Sequence, residues 1–348
     1  MKLLLRIVFA LAIVGGLLYF FWYKSKDSNS VISETVSSEK VDMSASNATE
    51  ESTMNYELIP RDEIYDDNDS LARATLQVIK ERYKMYFENF VKNLRSSNIQ
   101  VVFCWLTTEI GDSETKVQKV GKKYIKELCA ANNVIFLDFS EIFMPYKPQD
   151  ITYMPVDGHL REKGAELVAN AMAKVIKQYT TSKSTQTFPD QGRPTLFGDF
   201  EPNLDEIRDG GKNLPYRIKT NSQGLRMDYD LTFPKKKQRV LLIGDSGFFF
   251  PFLDNDKTGT AKIQAIFPDK EIVNAANWGY SIDDYVTLWD ERAKYIEPDI
   301  VLLQSTGDDI ADQFFSHRLK YSRNKENIKP TDIEKAYYKH YSDMQMGK

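Results

Sequence analysis

The sequence predicts an α/β fold in which helices pack on a parallel sheet, and three observations predict it. Runs such as Val240-Leu241-Leu242-Ile243 have the unbroken hydrophobicity of a strand buried on both faces. Such runs alternate with stretches of helical periodicity, the pattern of βαβ units. The Val240–Ile243 run ends abruptly in Gly244-Asp245-Ser246-Gly247, and open α/β sheets bind their ligands at the carboxyl edge of the strands.

At 348 residues, 42% of them hydrophobic and 28% charged, the chain can bury one large core or two modest ones. A net charge of −4 gives no electrostatic ground for binding nucleic acid. Cys104 lies in an apolar strand and Cys129 in a helical run, and both read as small buried hydrophobes. Neither a disulfide framework nor a zinc spacing is present, and no cofactor or metal is expected.

From Ile7 to Tyr23 the chain is apolar and uncharged, near the lower limit for a membrane-spanning helix. Lys2 and Arg6 precede this run; Lys24 and Lys26 follow it. It ends in Tyr19-Phe20-Phe21-Trp22-Tyr23, which suits a membrane interface and not a small-residue cleavage site. Residues 1–26 are therefore expected to be an uncleaved signal anchor, a transmembrane helix that leaves the rest extracytoplasmic, in a periplasm or on a cell surface. Residues 27–68 are rich in Ser, Thr, Glu and Asp and bury too little apolar surface to offset ordering. They are expected to form a disordered stalk, in which Asn47-Ala48-Thr49 fits a glycosylation sequon.

Folded structure is expected over 69–348, as one domain. Leu71 to Leu94 carries Leu76, Ile79, Tyr83, Phe87, Phe90 and Val91 at helical spacing, and Ile99–Leu106 follows as a buried strand. A helix through Tyr124, Ile125, Leu128 and Cys129 leads to the strand Val134–Phe139. Between them Gly111-Asp112-Ser113 reads as a loop, because Thr107-Thr108-Glu109 separates it from the strand. After Met154–Gly164 comes a helix with Leu167, Val168, Ala171, Met172, Val175 and Ile176 on its apolar face. Residues 181–237 are polar and turn-rich, a long connection holding one short strand and turn over Tyr216–Arg226. Past Ser246, the strand around Glu271–Asn274 opens into a loop, a helix runs from Ile282 to Tyr295, and Asp299–Gln304 is the last strand. The charged remainder is helical in part.

Candidate chemistry sits in three places. Ser246 exposes a hydroxyl at a strand's carboxyl end and can be a nucleophile if an imidazole reaches it; equally, Asp245 and Ser246 are good helix caps. Asp157 and His159 flank Gly158 ahead of a helix, where the carboxylate could fix the tautomer of a general base. The alternative is that Asp157 caps that helix and His159 is exposed. His317 and His340 lie among charged residues and read as solvated, so His159 is the histidine to consider. Phe248, Phe249, Phe250 and Phe252 suit a core better than an acyl pocket. Trp278, beside Gly279, is the better substrate-binding wall, since sugar and acyl groups both pack on indole faces.

These stretches together resemble the SGNH (GDSL-type) hydrolase superfamily of esterases, lipases and carbohydrate O-acyltransferases. Ile243-Gly244-Asp245-Ser246 is similar to its first block, Asn274–Ser281 to its second, and Gln304–Ile310 to its third. Asp157-Gly158-His159-Leu160, followed by Lys163-Gly164, is similar to the last block, and Asn221–Arg226 resembles a lead-in found in bacterial members. The family places its serine block first, whereas here Asp157 and His159 precede Ser246. The resemblance therefore implies a circularly permuted, flavodoxin-like three-layer sandwich. Residues 69–180 would supply the family's C-terminal half, 181–237 the connection, and 238–348 its N-terminal half; new termini and long bridging loops make this permissible. Two half-domains completed by other chains would be the rival arrangement.

The resemblance implies a cofactor-free serine esterase with Ser246 as nucleophile, His159 as base and Asp157 as orienting acid. It implies an oxyanion hole from the backbone N–H groups of Ser246 and Gly279, with Asp308 where the family has an asparagine donor. An ionised carboxylate there repels an oxyanion and a protonated one donates to it. Asp157 stands two residues before His159, where many members have three. The expected substrate is a carboxylic ester, such as O-acetyl groups on surface glycans. The alternatives are an O-acyltransferase using the same acyl-serine on a cell-surface polysaccharide, and a non-catalytic binding domain.

Overall fold

The structure, a computed structural model, describes residues 62–323 and 325–345. The expected signal anchor, the sequon and the stalk up to residue 61 lie outside the described residues. Among the described residues no helix is long and apolar enough to cross a membrane. Order begins before Asp69, a correction to the expected stalk: Ile64 and Tyr65 are buried in a 3₁₀ turn over Glu63–Tyr65. Two large side chains with core to bury against are enough to anchor that segment.

Five parallel strands form one sheet: β1 (Gln100–Trp105), β2 (Ile135–Asp138), β5 (Gln238–Ile243), β6 (Lys270–Asn274) and β7 (Ile300–Ser305). β3 (Asp205–Arg208) and β4 (Tyr216–Lys219) make a separate antiparallel hairpin within the connection. The long helices are α1 (Ser70–Ser96), α2 (Lys116–Ala131), α3 (Glu162–Ile176), α4 (Gly259–Ile266), α5 (Ile282–Glu291) and α6 (Asp332–Gln345). α1 starts where Asp69 accepts the N–H groups of Leu71 and Ala72, supplying partners for two otherwise orphaned donors.

The sheet order is β2-β1-β7-β5-β6. Counted from β5, this is the doubly wound order 2-1-3-4-5, with β1 and β2 in the last two places. The two ends of the chain therefore meet in mid-sheet: β1 pairs with β7 over six residues, from Gln100 opposite Ile300 to Trp105 opposite Ser305.

Side chains alternate across this sheet as the pleat requires. Val102, Cys104, Val240, Leu242, Ile300 and Leu302 face a core completed by α3, α4 and Phe248–Phe252. On the opposite face Phe103 meets Phe87 of α1 edge-on at 5.7 Å, and Phe90 meets Trp289 of α5 at 5.8 Å. Each such buried side chain contributes about 1.5–3 kcal/mol, which is why the aliphatic strands dominate the fold. Cys104 and Cys129 are free and buried, as their apolar settings suggested.

The connection 181–237 is tied down by buried apolar side chains such as Phe197, Tyr216, Ile218 and Leu225, and by charge. Along the amino ends of the strands, buried Asp299 accepts from the Ser184 and Arg239 N–H groups and from Lys235. Arg193 reaches Glu297 at 2.9 Å, and the fully buried Arg239 reaches Glu271 at 2.6 Å. The tip of the hairpin, Asp209–Asn213, stands exposed throughout.

Limited proteolysis tests this single-sheet arrangement. A nick at the exposed hairpin tip should leave two fragments that elute together as one native particle, because β1 and β7 pair across it. Two independently folded, non-associating fragments would contradict it.

Candidate active site

All five parallel strands end on one edge, so the turns after β1, β5, β6 and β7 converge there. The sharp turn after β5 is set by close packing. Buried Gln304 on β7 accepts the N–H groups of Asp245 and Phe248 on one amide oxygen, at 3.0 and 3.3 Å. A Cβ at Gly244 would lie 2.5 Å from that oxygen, and one at Gly247 would lie 2.8 Å from Leu106. Glycines flank Asp245-Ser246 because nothing larger fits beneath the turn. Asp245 caps the short helix Ser246–Phe249 through the Gly247 N–H, the capping role foreseen for it, while Ser246 turns to the cleft.

The Asp157–His159 loop is closed by a bridge between Thr152 and Leu160 and by the Tyr153 N–H on the His159 carbonyl. Thr108, just beyond β1, donates to the Gly158 carbonyl at 3.1 Å. The helix that follows begins at Glu162 with Arg161 at its cap, so Asp157 does not cap it. Instead the Asp157 carboxylate accepts both the His159 backbone N–H, at 2.8 Å, and ring Nδ1, at 2.5 Å. With its proton on Nδ1, the ring leaves Nε2 to accept the Ser246 hydroxyl at 2.9 Å. Partial burial raises the pKa of Asp157, but the His159 hydrogen bonds outweigh it and hold the carboxyl below its ordinary value. The acid therefore stays ionised at neutral pH, as an orienting partner must.

These three residues line a cleft of about 300 Å³ with Gly279, Asp308, Thr306 and Gln118. Gly279 has φ +66°, a left-handed conformation that costs a larger residue strain. Gln118 of α2 accepts the Gly307 N–H at 3.0 Å, so a helix from the first half of the chain fixes the loop bearing Asp308. Trp278 packs against the cleft, its ring 5.6 Å from that of His159 and 5.4 Å from that of Phe249.

Several residues here escaped the sequence reading. Phe248, Phe249, Phe250 and Phe252 are buried, as a core cluster should be, but Phe252 also packs edge-on against His159 at 5.9 Å. Phe250 and Phe252 both adopt positive φ, 55° and 63°, a strained state for bulky residues. Buried Arg226 holds the segment there, donating to the carbonyls of Phe249, Phe250 and Leu253. Burial pushes its pKa down to about 10, still high enough to keep the charge. Its only signal in the sequence was its place at the end of Asn221–Arg226. Gln304 had a clearer one, a polar residue closing an aliphatic strand. His317, expected to be solvated, instead packs on Tyr321 at 4.7 Å and lies 3.3 Å from Asp312, which lines the cleft. Folding of the segment after β7 against the loop holding Gly279 removes it from water.

Behind Asp308 lies fully buried Asp309, which accepts the Thr306 N–H at 3.1 Å. Burial first, then the neighbouring carboxylates of Asp245 and Asp312, raise its pKa well above the ordinary value. The folded protein thus holds a proton on Asp309 that the unfolded chain releases above about pH 4. Stability from this group is full below that pH and declines as pH rises toward the folded value. Asp309→Asn, always neutral, should therefore gain in Tm relative to the parent as pH rises above about 4. A Tm difference that stays constant with pH would show that Asp309 is ionised in the fold.

No protein-family model and no curated protein matches the chain. Among solved structures it is similar to the O-acetyltransferase domain of Pseudomonas putida AlgJ, at 13% identity and a TM-score of 0.42, covering 76% of this chain and 92% of that one. It is also similar to Pseudomonas aeruginosa AlgX, at 15% identity and a TM-score of 0.40, over 68% of this chain and 60% of that one. Bacillus cereus PatB1 is a third likeness, at 13% identity and 0.38, over 67% of this chain and 90% of that one. At such scores these likenesses carry no argument about chemistry, which rests on the geometry of the cleft.

Proposed function

We propose that the protein is an SGNH-like serine enzyme that transfers the acyl group of a carboxylic ester through Ser246. The observation that carries this reading is the unbroken relay from Asp157 through His159 to the Ser246 hydroxyl, at 2.5 and 2.9 Å. Ser246 Oγ attacks the ester carbonyl while its proton passes to His159 Nε2. The tetrahedral intermediate collapses, the alcohol leaves with that proton, and an acyl-serine remains. Water then attacks the acyl-serine, giving its proton to His159, and the acid is released. Backbone N–H groups of Ser246 and Gly279 would face the oxyanion, with Asp308 beside them in the cleft.

A second reading, O-acyltransfer to a glycan hydroxyl in place of water, is favoured by a larger groove that begins at Trp278, next to His159. The proposal extends to the whole chain. The strand order β6-β5-β7-β1-β2 supports a circular permutation within one domain, because each half supplies strands the other lacks. The apolar run Ile7–Tyr23 supports membrane anchorage with the enzyme outside the cytoplasm.

Burst kinetics with p-nitrophenyl acetate test the acyl-serine. The protein should give a stoichiometric burst, and Ser246→Ala should lose turnover by about three orders of magnitude or more while keeping its Tm. Ser113, whose hydroxyl donates to the Ile110 carbonyl in a surface turn, should tolerate replacement by alanine. Absence of a burst, or equal loss from both variants, would favour a non-catalytic domain or another nucleophile.

Asp308 provides a sharper test of the oxyanion arrangement. If its carboxylate faces the developing charge, Asp308→Asn supplies a neutral donor of the same shape. Turnover should rise about tenfold or more at neutral pH, with the gain shrinking toward acid. An unchanged pH–rate profile, or lower turnover at every pH, would remove Asp308 from the oxyanion site.

A further inference from the structure

The cleft holding Ser246 measures about 300 Å³, and the surface beside it offers a larger space. A groove of about 740 Å³ runs from Trp278 along the β3–β4 hairpin, lined by Ile207, Asp209, Asn213 and Tyr216 among others. That volume lies within the usual range of about 300–1,000 Å³ for ligand sites. Trp278 is braced by His159, Phe249 and Phe252 but remains 37% exposed, and Ile207 across the groove is 74% exposed. Exposed large hydrophobics beside a reactive centre mark a contact surface rather than a core.

We infer that this groove holds an uncharged oligosaccharide, with a sugar ring against Trp278 and a hydroxyl presented to Ser246. A pyranose offers an apolar face and a polar rim. The groove matches both, with an indole and an aliphatic side chain for the face, and Asp209, Asn213 and glycine-rich backbone for the rim. Charge narrows the class further. Glu109, Asp157, Asp245, Asp308 and Asp312 all line the catalytic cleft, and no lysine or arginine does. The groove adds Arg208, already paired with Glu206, and Asp209; Lys212 at the hairpin tip acts on Asp157. A uronate or phosphate polymer would bring its charges against those carboxylates in a site water only partly screens. The inference rests on the reading of Ser246 as acyl carrier, but the groove can be tested without any turnover.

The test is calorimetric binding to the full-length Ser246→Ala protein. Probes are cellohexaose, chitohexaose and maltohexaose, an oligogalacturonate of equal length, and an uncharged hexapeptide. At least one neutral hexasaccharide should bind, and the oligogalacturonate should bind it about tenfold or more weakly at low salt. Adding Trp278→Ala or Ile207→Asp should each weaken the neutral sugar about fivefold or more, while Trp278→Phe should largely restore it. Undiminished binding in Trp278→Ala, tighter binding of the oligogalacturonate or the peptide, or no saccharide binding at millimolar concentration would overturn the inference. A burst from the parent protein together with any of these outcomes would leave the acyl-serine reading standing and the groove inference refuted.

Discussion

The pairing of β1 with β7 is the interaction on which the rest of the molecule depends. It joins a strand near residue 100 to one near residue 300, in parallel register, with every β7 side chain buried. Closing so large a loop costs conformational entropy that grows only slowly with length, while the aliphatic burial along these strands is large. The chemistry follows from the same register. It puts the turn after β1, which holds Gly158, on the same edge as the turn after β5, which holds Ser246. His159 and Ser246 thereby come within 2.9 Å although 87 positions separate them. Without this pairing His159 and Ser246 would not meet.

The second dependence is local. Polar side chains carry backbone shapes near Ser246 that the chain would not adopt unaided. Gln304 holds the turn before the serine by two N–H groups, and Arg226 holds the segment after it by three carbonyls. A buried guanidinium without a carboxylate is costly unless its donors are satisfied, and here backbone oxygens and Asn255 satisfy them. The return on that cost is the placement of Phe252, whose ring packs on the His159 imidazole and whose carbonyl accepts the Tyr153 hydroxyl at 2.8 Å. Strain at Phe250 and Phe252 is tolerated because these contacts over-determine the segment.

The cleft is also unusual in its charge. The carboxylates of Glu109, Asp157, Asp245, Asp308 and Asp312 line it, and behind them fully buried Asp309 has its pKa raised by burial and by Asp245 and Asp312. Such acidic surroundings disfavour an anionic ligand in the cleft.

By itself the sequence determined the strands, the glycine-flanked Ser246 turn and the Asp157–His159 pair, because these depend on local chemistry. Short unbroken aliphatic runs bounded by turn residues suit doubly buried strands, and glycines on both sides of Asp245-Ser246 suit a tight turn. Only the tertiary structure decided whether Asp157 served the following helix or the imidazole, since both uses suit an aspartate in that position. It also decided that Arg226, Gln304, Gln118 and Phe252 belong to the site. Their side chains look ordinary in sequence, and their partners lie from 23 to 189 positions away. His317 shows the same limit: a histidine among charges looks solvated until a distant loop covers it. Local propensity is encoded over a few residues, whereas burial and partnership are properties of the packed whole.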